Sequence, residues 1–336
     1  MPVLTSKRSI LARALDLTGC GRMLRSTSVW NGVLILNYHR IGDRRNSLLD
    51  RNLWSATEED FERQIQTIAK NFQVIGLDDL ETALRDRNGR FVMVTFDDGY
   101  LDNYTHAYPI LKSHGVPATF FITTGFLDIP MVPWWDEIAW IVRSSHRRSL
   151  NANRWTKGAV DFDEPDREAA ISRLLSVYKG LAGTVTDEYL SFLAEALGTG
   201  RCPLEIAQGL WMTWDNIREL KRNGMTFGGH TVTHPILANL SAEQQDAEIG
   251  DCRRRLVEEL GEPIEAFSYP IGGPTSFNDL TRQSLVRHGF KWAFTYLGGF
   301  CRHGHRDRLS LPRTAIETDI DLPIFRAIAT LPQVFA

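Results

Sequence analysis

Two short polar clusters contain the residues best suited to catalysis. Asp97 and Asp98 are adjacent, follow the apolar run FVMVTF and precede Gly99. Two neighbouring carboxylates repel each other, so a cation between or beside them is the natural counterion. His230 and His234 follow a Gly-Gly pair. Histidines four residues apart share one face of a helical turn and are able to chelate a metal.

Each cluster also has a purely structural interpretation. Asp-Asp-Gly is favourable turn chemistry, and an aspartate commonly caps the following helix. A lone His-x-x-x-His is a weak signal, and Pro235 disfavours a helical conformation at His234. Taken together, one carboxylate and two imidazoles make three ligands and leave a position for water, which is typical of a catalytic metal. Spacing alone does not decide which aspartate is the ligand.

An alternation of strands and helices is expected to position both clusters. Apolar runs predict strands at 33–38, 74–75, 91–96, 118–122, 225–228, 266–269 and 292–295. Helical spacing and capping residues predict helices at 61–72, 77–85, 103–114, 214–223, 242–260 and 279–288. Repeated strand–helix units imply parallel pairing. We therefore expect an α/β fold, specifically a (β/α) barrel that is distorted or incomplete.

Residues 126–210 interrupt this alternation. The segment is richer in polar residues, has helical patches at 167–181 and 187–197, and contains no convincing strand. We interpret it as a helical insertion that serves as a structural cap or as a wall over a site. Its Trp134, Trp135 and Trp140 are suited to stacking on sugars or to core packing. The predicted organisation is an N-terminal amphipathic segment at 1–30 and a catalytic domain at 31–336.

Composition narrows the function classes. A net charge of −3 and a pI of about 6.3 indicate no nucleic-acid partner. The four cysteines form no CxxC pair, and no apolar run approaches the ~18–20 residues that span a bilayer. Residues 7–16 have helical spacing interrupted by charges, unlike a secretory signal. We expect this segment to pack on the protein body, with a peripheral membrane contact as the alternative, and the protein to be cytoplasmic.

The combination of TFDDGY with HTVTH resembles the polysaccharide deacetylases, that is, carbohydrate esterase family 4 or the NodB homology domain. The resemblance covers roughly residues 30–125 and 210–316. It implies a NodB-type barrel that hydrolyses the N-acetyl amide of an N-acetylated glycan and releases acetate. It also implies that Asp98, His230 and His234 hold a divalent metal, with Zn²⁺ the expected ion, and that Asp97 is the catalytic base.

A third segment, Phe267-Ser-Tyr-Pro-Ile-Gly-Gly273, resembles a family motif that in many members reads Arg-x-Pro-Tyr. Ser268 stands at the arginine position and Ile271 at the tyrosine position. The resemblance implies a substrate site at Tyr269, Pro270 and Ile271, with the Ile271 N–H on the oxyanion. The missing arginine usually tethers the base, and we expect Arg313 to replace it.

The general acid of the family is usually a histidine near the C-terminus, and no clean match to that motif occurs here. His303 and His305 lie in a segment that is expected to be an exposed loop. Instead, His39 ends the first predicted strand. This order is similar to a circularly permuted branch, the poly-N-acetylglucosamine deacetylases, and implies that His39 is the acid. The structural alternative is a strand-end histidine bonded to a backbone carbonyl.

Several functions remain compatible with these residues. The favoured one is a polysaccharide or chitooligosaccharide deacetylase. A deformylase or deacetylase of a lipid-linked sugar would use the same side chains and place the N-terminal segment at a membrane. A carbohydrate-binding protein without catalysis is the alternative of another class, favoured slightly by the altered third motif. Hydrolysis of an ester instead of an amide is a further alternative.

Overall fold

A central sheet of ten strands dominates the fold of this computed structural model, which describes residues 6–27, 29–162 and 167–336. The strands of this sheet are β1 (Gly32–Tyr38), β4 (Gln73–Ile75), β5 (Arg90–Phe96), β6 (Ala118–Ile122), β9 (Thr226–Gly229), β10 (Ala266–Ser268), β11 (Trp292–Thr295), β12 (Cys301–Arg302), β13 (Leu311–Pro312) and β14 (Thr314–Ala315). Two small pairs of strands lie outside this sheet. The first, of β2 (Arg40–Ile41) with β3 (Trp54–Ala56), is parallel, and the second, of β7 (Ser149–Leu150) with β8 (Val160–Asp161), is antiparallel.

Fourteen α-helices accompany the strands in the described residues. They are α1 (Ser6–Leu17), α2 (Cys20–Ser26), α3 (Glu58–Asn71), α4 (Leu80–Arg85), α5 (Tyr108–Ser113), α6 (Thr124–Asp128), α7 (Trp134–Ser144), α8 (Arg167–Lys179), α9 (Thr186–Ala196), α10 (Trp214–Arg222), α11 (Ala242–Leu260), α12 (Asp279–Arg287), α13 (Leu322–Thr330) and α14 (Pro332–Phe335). Within this part of the chain, no helix is both long enough and apolar enough to cross a membrane.

The sheet is nearly closed into a barrel with one unsealed seam. Its strand order is β12-β1-β5-β6-β9-β10-β11-β13, and all neighbours except β12 and β1 are parallel. At the seam, β13 pairs with β11 and β14 pairs with β1, so one short segment reaches both ends of the sheet. Arg313 is the single residue between these two pairings. The predicted incomplete barrel is therefore confirmed.

The local sequence explains the main elements. Strands β1 and β5 are buried along nearly their whole length, as expected of strands that are covered on both faces. Helix α11 begins at a capping box in which Ser241 and Gln244 exchange side chain–backbone hydrogen bonds, and it ends at Gly261 in the left-handed conformation (φ 67°). These predicted boundaries are confirmed by the structure.

The helix predicted over 103–114 begins differently from a regular α-helix. Residues Asn103–Ala107 form a π-helix, in which the Tyr108 N–H donates to the carbonyl of Asn103 five residues earlier. Helix α5 then starts with Pro109 in its first turn, where a missing N–H costs little. The proline predicted a kink or late start, and the π-turn is the form that this irregularity takes.

The described part of the segment at 126–210 consists of helices, one small hairpin and the loops that connect them. Helices α7, α8 and α9 lie in it, but β7 and β8 contradict the expectation that it has no strand. Each of these strands has two residues, too few to produce a recognisable alternation in sequence. Residues 163–166 lie outside the described part of the chain. The division of the chain into domains stays a prediction.

The N-terminal segment forms helices α1 and α2, and α1 packs against α13. Residues 1–5 and 28 of the predicted amphipathic segment lie outside the described residues. Three of the four cysteines are buried and Cys20 is exposed, and all four thiols are free.

Candidate active site and metal centre

Polar side chains from both sequence clusters meet at one end of the barrel. Asp97 and Asp98 follow β5, His230 follows β9, and His39 follows β1. Because parallel strands end at the same edge, residues from distant parts of the sequence come together there. The two clusters that the sequence singled out therefore form one site.

The backbone at the two aspartates turns sharply. Asp98 has a φ of 75° and Gly99 a φ of 92°, both in the left-handed region. This conformation is disfavoured for a residue with a Cβ and typically costs about 1–3 kcal/mol when it is held at a functional site. The turn lets two neighbouring carboxylates face one cavity, instead of pointing to opposite sides as in a strand.

The two histidines lie on an irregular loop, not on a helical turn. Thr231 and His234 both have positive φ values, 68° and 57°. The carboxylate of Glu248, on α11, accepts hydrogen bonds from the backbone N–H groups of Val232 (2.7 Å) and Thr233 (2.9 Å). An acidic side chain from a neighbouring helix thus fixes a loop that Pro235 prevents from becoming helical.

Three side chains are arranged as metal ligands. The Nε2 atoms of His230 and His234 lie 3.4 and 3.5 Å from Oδ1 of Asp98, and ligand atoms of all three residues lie within 4.8 Å of one another. Two ligands about 2.0–2.1 Å from a tetrahedral ion are separated by about 3.4 Å. Oδ1 of Asp98 is buried and has no hydrogen-bond partner among the described residues. These observations fit a bound divalent cation.

The two imidazoles differ in their hydrogen bonding and in the direction of their pKa shifts. Nδ1 of His230 lies 2.7 Å from the Ser268 carbonyl, which orients the ring with Nε2 towards Asp98. Burial and then the neighbouring His230 lower the pKa of His234 to about 3, so this imidazole is neutral, as a metal ligand must be. Burial would also lower the pKa of His230, but Asp97 and Asp98 more than offset it and raise that pKa.

Asp97 is held by a guanidinium inside the barrel. Arg313 donates from Nη1 to Oδ1 and from Nη2 to Oδ2, both at 2.7 Å, and neither side chain has appreciable exposure. The Ser268 hydroxyl and the Asn37 amide add hydrogen bonds of 3.2 and 3.3 Å to Oδ2. Burial alone would raise the pKa of Asp97, but Arg313 and then His230 hold it well below its usual range.

Two polar strand residues in this network were missed by the sequence analysis. Oδ1 of Asn37 accepts a 2.7 Å hydrogen bond from Arg313, and the Thr95 hydroxyl donates to the same oxygen at 3.2 Å. Both residues are fully buried in strands that are otherwise apolar. A polar side chain in such a strand requires a partner, and this was the signal available in the sequence.

A cavity of about 920 Å³ opens onto these residues. Asp97, Asp98, both histidines, His39 and Arg313 line it. The ring of His39 packs edge-on against Tyr296, and its carbonyl accepts a 2.6 Å hydrogen bond from Asn103, the first residue of the π-helix. His303 and His305 are not among the lining residues described, and His303 is exposed.

The segment after β10 contributes to the cavity through its backbone turn. Tyr269 and Ile271 line the cavity, whereas Pro270 is not among the lining residues described. Ile271 has a φ of 63°, so the chain reverses there. The hydroxyl of Tyr269 donates to the Leu309 carbonyl at 2.9 Å and its ring stacks on Phe277, which anchors this turn.

A buried chain of aromatic and acidic side chains supports one ligand from behind. Trp135 packs edge-on against His234, with ring centroids 4.5 Å apart. Its indole N–H donates to the Tyr100 hydroxyl, which donates to Oδ2 of Asp136, both at 2.9 Å. Trp135 thus forms a wall beside the cluster of candidate metal ligands. The sequence had allowed it to be either core or sugar-stacking.

Comparison with protein families agrees with the site and the barrel. The family model "Polysaccharide deacetylase" matches residues 84–152 and 183–293, which is more than half of the chain. The chain therefore belongs to the polysaccharide deacetylase family, a family of hydrolases. This confirms the predicted family. His39 and Arg313 lie outside the matched residues.

Two curated relatives match part of this chain. The poly-beta-1,6-N-acetyl-D-glucosamine N-deacetylase of Staphylococcus aureus (strain MSSA476) is 34% identical over 110 residues, 28% of this chain and 37% of the relative. YxkH of Bacillus subtilis (strain 168) is 20% identical over 204 residues, 61% of this chain and 44% of YxkH. Both matches cover less than half of the relative's own length. The resemblance to the poly-N-acetylglucosamine deacetylase branch is supported.

Solved structures share the fold over nearly the whole chain. The deacetylase PplD of Streptococcus pyogenes, solved in complex with acetate, has a TM-score of 0.57 at 22% identity, covering 90% of this chain and 98% of PplD. IcaB from Ammonifex degensii has a TM-score of 0.55 at 19% identity, covering 91% of this chain and 98% of IcaB. At these identities the likeness establishes the barrel.

Proposed function

We propose that this protein hydrolyses the N-acetyl amide of an N-acetylated sugar in an oligo- or polysaccharide and releases acetate. The observation that carries the proposal is the pairing, in one cavity, of a three-ligand cluster with an adjacent carboxylate that is not a ligand. Asp98, His230 and His234 supply the cluster, and Asp97 stands beside it. The curated relative from Staphylococcus aureus is an N-deacetylase of such a glycan.

Asp98, His230 and His234 would hold a divalent metal, for which Zn²⁺ suits a donor set of one oxygen and two imidazole nitrogens. When bound, such an ion acidifies water and polarises a carbonyl group. In this proposal Asp97 is not a metal ligand. Its ion pair with Arg313 fixes the plane of the carboxylate and keeps it ionised, so that it can accept a proton from the attacking water.

The remaining cavity residues are assigned to the oxyanion and the leaving group. The positive φ of Ile271 turns the backbone at the cavity wall, and its N–H is proposed to donate to the oxyanion of the tetrahedral intermediate. His39 is proposed to protonate the amine as the C–N bond breaks. Three histidines are among the described residues that line the cavity: the two proposed ligands and His39. This supports the choice of His39.

The cavity suits a glycan more than a small amide. Its volume of about 920 Å³ is near the upper end of the usual range for ligand pockets. Trp134, Trp135, Tyr269 and Tyr296 add aromatic surface to its wall. An oligosaccharide with one N-acetyl group at the metal is therefore the proposed substrate.

The test is release of acetate and free amine from three substrates: chitooligosaccharides, β-1,6-linked N-acetylglucosamine oligomers and acetyl xylan. Metal-stripped protein is assayed with and without added Zn²⁺. We expect zinc-dependent release from an N-acetylated oligomer, and little from the O-acetylated xylan. Zinc binding without release from either N-acetylated substrate would overturn the proposed activity on free glycans and favour a lipid-linked sugar or a binding function. Preferential release from xylan would identify an esterase.

A further inference from the structure

Helix α1 exposes three of its large apolar side chains. Ile10, Leu11 and Leu17 are 67%, 47% and 89% exposed, although α1 packs along α13. The packed face contains Ala12, which is buried, and Leu15 and Asp16, which are half-buried. Among the described residues of α1, Leu15 is the one large apolar side chain in contact with the core. An amphipathic helix that only stabilised the fold would bury most of its large apolar residues, whereas α1 exposes Ile10, Leu11 and Leu17.

The outward apolar side chains form one stripe. Ile10, Ala14 and Leu17 are spaced i, i+4 and i+7, which places them on the same side of the helix, and Leu11 adjoins them. In the following helix, Met23 is 66% exposed. We call the exposed side chains of Ile10, Leu11, Leu17 and Met23 the α1–α2 face. By their helical spacing Ile10, Leu11 and Leu17 are contiguous, and a contiguous apolar patch on a protein surface marks a site of interaction.

The charged residues of helices α1 and α2 are almost all basic. Residues 6–27 contain five basic side chains and a single acidic one. That acid, Asp16, is paired with Arg326, and Arg13 is paired with Asp321. Lys7, Arg8 and Arg22 are exposed. A face that combines large apolar side chains with unneutralised cations is complementary to a bilayer that contains anionic lipid, where apolar groups enter the headgroup boundary and cations meet phosphates.

We propose that the α1–α2 face docks peripherally on an anionic lipid bilayer. The acyl boundary would take up Ile10, Leu11 and Leu17, and lipid phosphates would neutralise Lys7 and Arg22. This inference does not depend on the hydrolytic reaction, because none of the apolar residues of the face lines the cavity.

The location of α1 gives the docking a consequence for catalysis. Arg8 lines the same cavity as Asp97 and Asp98, and Ile328 of α13 and Phe335 of α14 line it too. Ile10 is two residues from Arg8, which is about 3 Å along the helix axis but about 200° around it, so the two side chains lie on nearly opposite sides of α1. Docking would therefore place the cavity behind α1, one helix diameter (~10–12 Å) from the membrane surface. If the proposed function holds, docking would favour hydrolysis of those N-acetylated glycans that lie at a membrane surface.

The test uses the full chain and sedimentation with vesicles of phosphatidylcholine, alone or mixed with phosphatidylglycerol. We expect binding to the mixed vesicles that weakens with added salt, because screening reduces the attraction of the cations. Leu17→Glu should weaken partitioning about ten-fold or more, since it replaces an apolar contact by a charge that the lipid repels. The matched control is Val286→Glu on α12, where the wild-type side chain is 63% exposed, and this variant should bind like the wild type.

Three results would overturn the proposal. The first is absence of binding to mixed vesicles by protein with a normal circular dichroism spectrum. The second is equal binding by Leu17→Glu and the wild type. The third is a change from dimer to monomer on Leu17→Glu without any vesicle effect, which would make a second copy of the chain the occupant. Acetate release from a soluble oligomer without vesicles should be unchanged in Leu17→Glu, so failure of the docking and failure of the hydrolysis are separately visible.

Discussion

Arg313 and Asp97 form a two-armed ion pair inside the barrel, although 216 residues separate them in the sequence. Both hydrogen bonds are 2.7 Å long, and both side chains are buried. Arg313 comes from the seam, between β13 and β14, and Asp97 comes from the end of β5. The segment that closes the barrel therefore also positions the proposed base.

Replacing Arg313 by methionine should damage stability and activity together. Arg313→Met keeps an extended side chain but leaves a buried carboxylate without its main partner, which should cost about 3–5 kcal/mol of the free energy of unfolding. Acetate release should fall at least ~100-fold. Urea denaturation and the acetate assay measure the two effects.

The control for this experiment is Arg326→Met, because Arg326 pairs with Asp16 at a partly exposed site. That change should cost no more than about 1 kcal/mol. Arg313→Lys should recover part of the stability but little of the activity, because an ammonium does not present two parallel donors. Wild-type stability and activity in Arg313→Met would show that Asp97 does not require this partner.

His39 should be needed for amides more than for activated esters. His39→Ala should lower the rate of acetate release from an N-acetylated oligomer by about 10²–10⁴-fold, because the leaving amine then lacks its proton donor. Hydrolysis of 4-nitrophenyl acetate should fall much less, because nitrophenolate leaves without protonation. Zinc content should be unchanged.

The control for His39 is His305→Ala, on the loop where Nε2 of His305 lies 3.1 Å from the Asp307 carbonyl. This variant should retain wild-type rates on both substrates. An equal loss on the amide and the ester in His39→Ala would assign His39 a structural role instead of the acid role.

The Tyr100 hydroxyl should tune metal affinity without touching the metal. It joins the indole of Trp135 to Asp136, and Trp135 packs on His234. Tyr100→Phe should lower zinc affinity about 10-fold, which is typical of lost support behind a ligand. Competition with a chelating dye measures this. Tyr104→Phe removes the 2.6 Å hydrogen bond to Glu219 and should leave zinc affinity unchanged. Equal affinities in both variants would contradict the account.

Asp136 should make the protein less stable as pH rises towards neutrality. Burial, partly offset by Arg40, raises its pKa to about 7 from the ordinary value of 3.8. Between these two values the folded state binds a proton that the unfolded state lacks, so this carboxyl lowers the free energy of unfolding with increasing pH, by at most ~1.4 kcal/mol per unit. Above pH 7 both states are ionised and the slope ends.

Asp136→Asn removes this titration and approximates the protonated side chain in shape. The variant should therefore gain stability relative to the wild type as the pH is raised from 5 to 7. Urea denaturation at pH 5, 6, 7 and 8 measures the difference. A difference that is constant across these pH values would show that Asp136 has no raised pKa.

The sequence predicts the repeated elements of the barrel well. Strands such as β5 and β6 are continuous apolar runs. Helix α11 has both a capping box and a glycine stop, so its hydrophobic periodicity and its end signals indicate the same boundaries. The two chemical clusters were also visible, because each is a short run of potential metal ligands and the two together supply a three-ligand set. These features depend on neighbours in sequence.

The unpredicted features depend on contacts across the barrel. Strands β13 and β14 have two residues each and no period, so their pairing to opposite ends of the sheet was not detectable. The left-handed conformations at Thr231 and His234 are held by tertiary contacts such as the Glu248 carboxylate, and propensity would not assign them. The same holds for the π-helix that brings Asn103 to the carbonyl of His39.

The central claim is that the two adjacent aspartates have different tasks, and one paired measurement tests it. Asp97→Asn and Asp98→Asn are stripped of metal and reloaded with Zn²⁺, and zinc content and acetate release are then measured on the best N-acetylated oligomer. The account predicts that Asp97→Asn retains zinc but loses acetate release, whereas Asp98→Asn loses both. Acetate release at the wild-type rate by Asp97→Asn, or retained zinc and activity in Asp98→Asn, would contradict it.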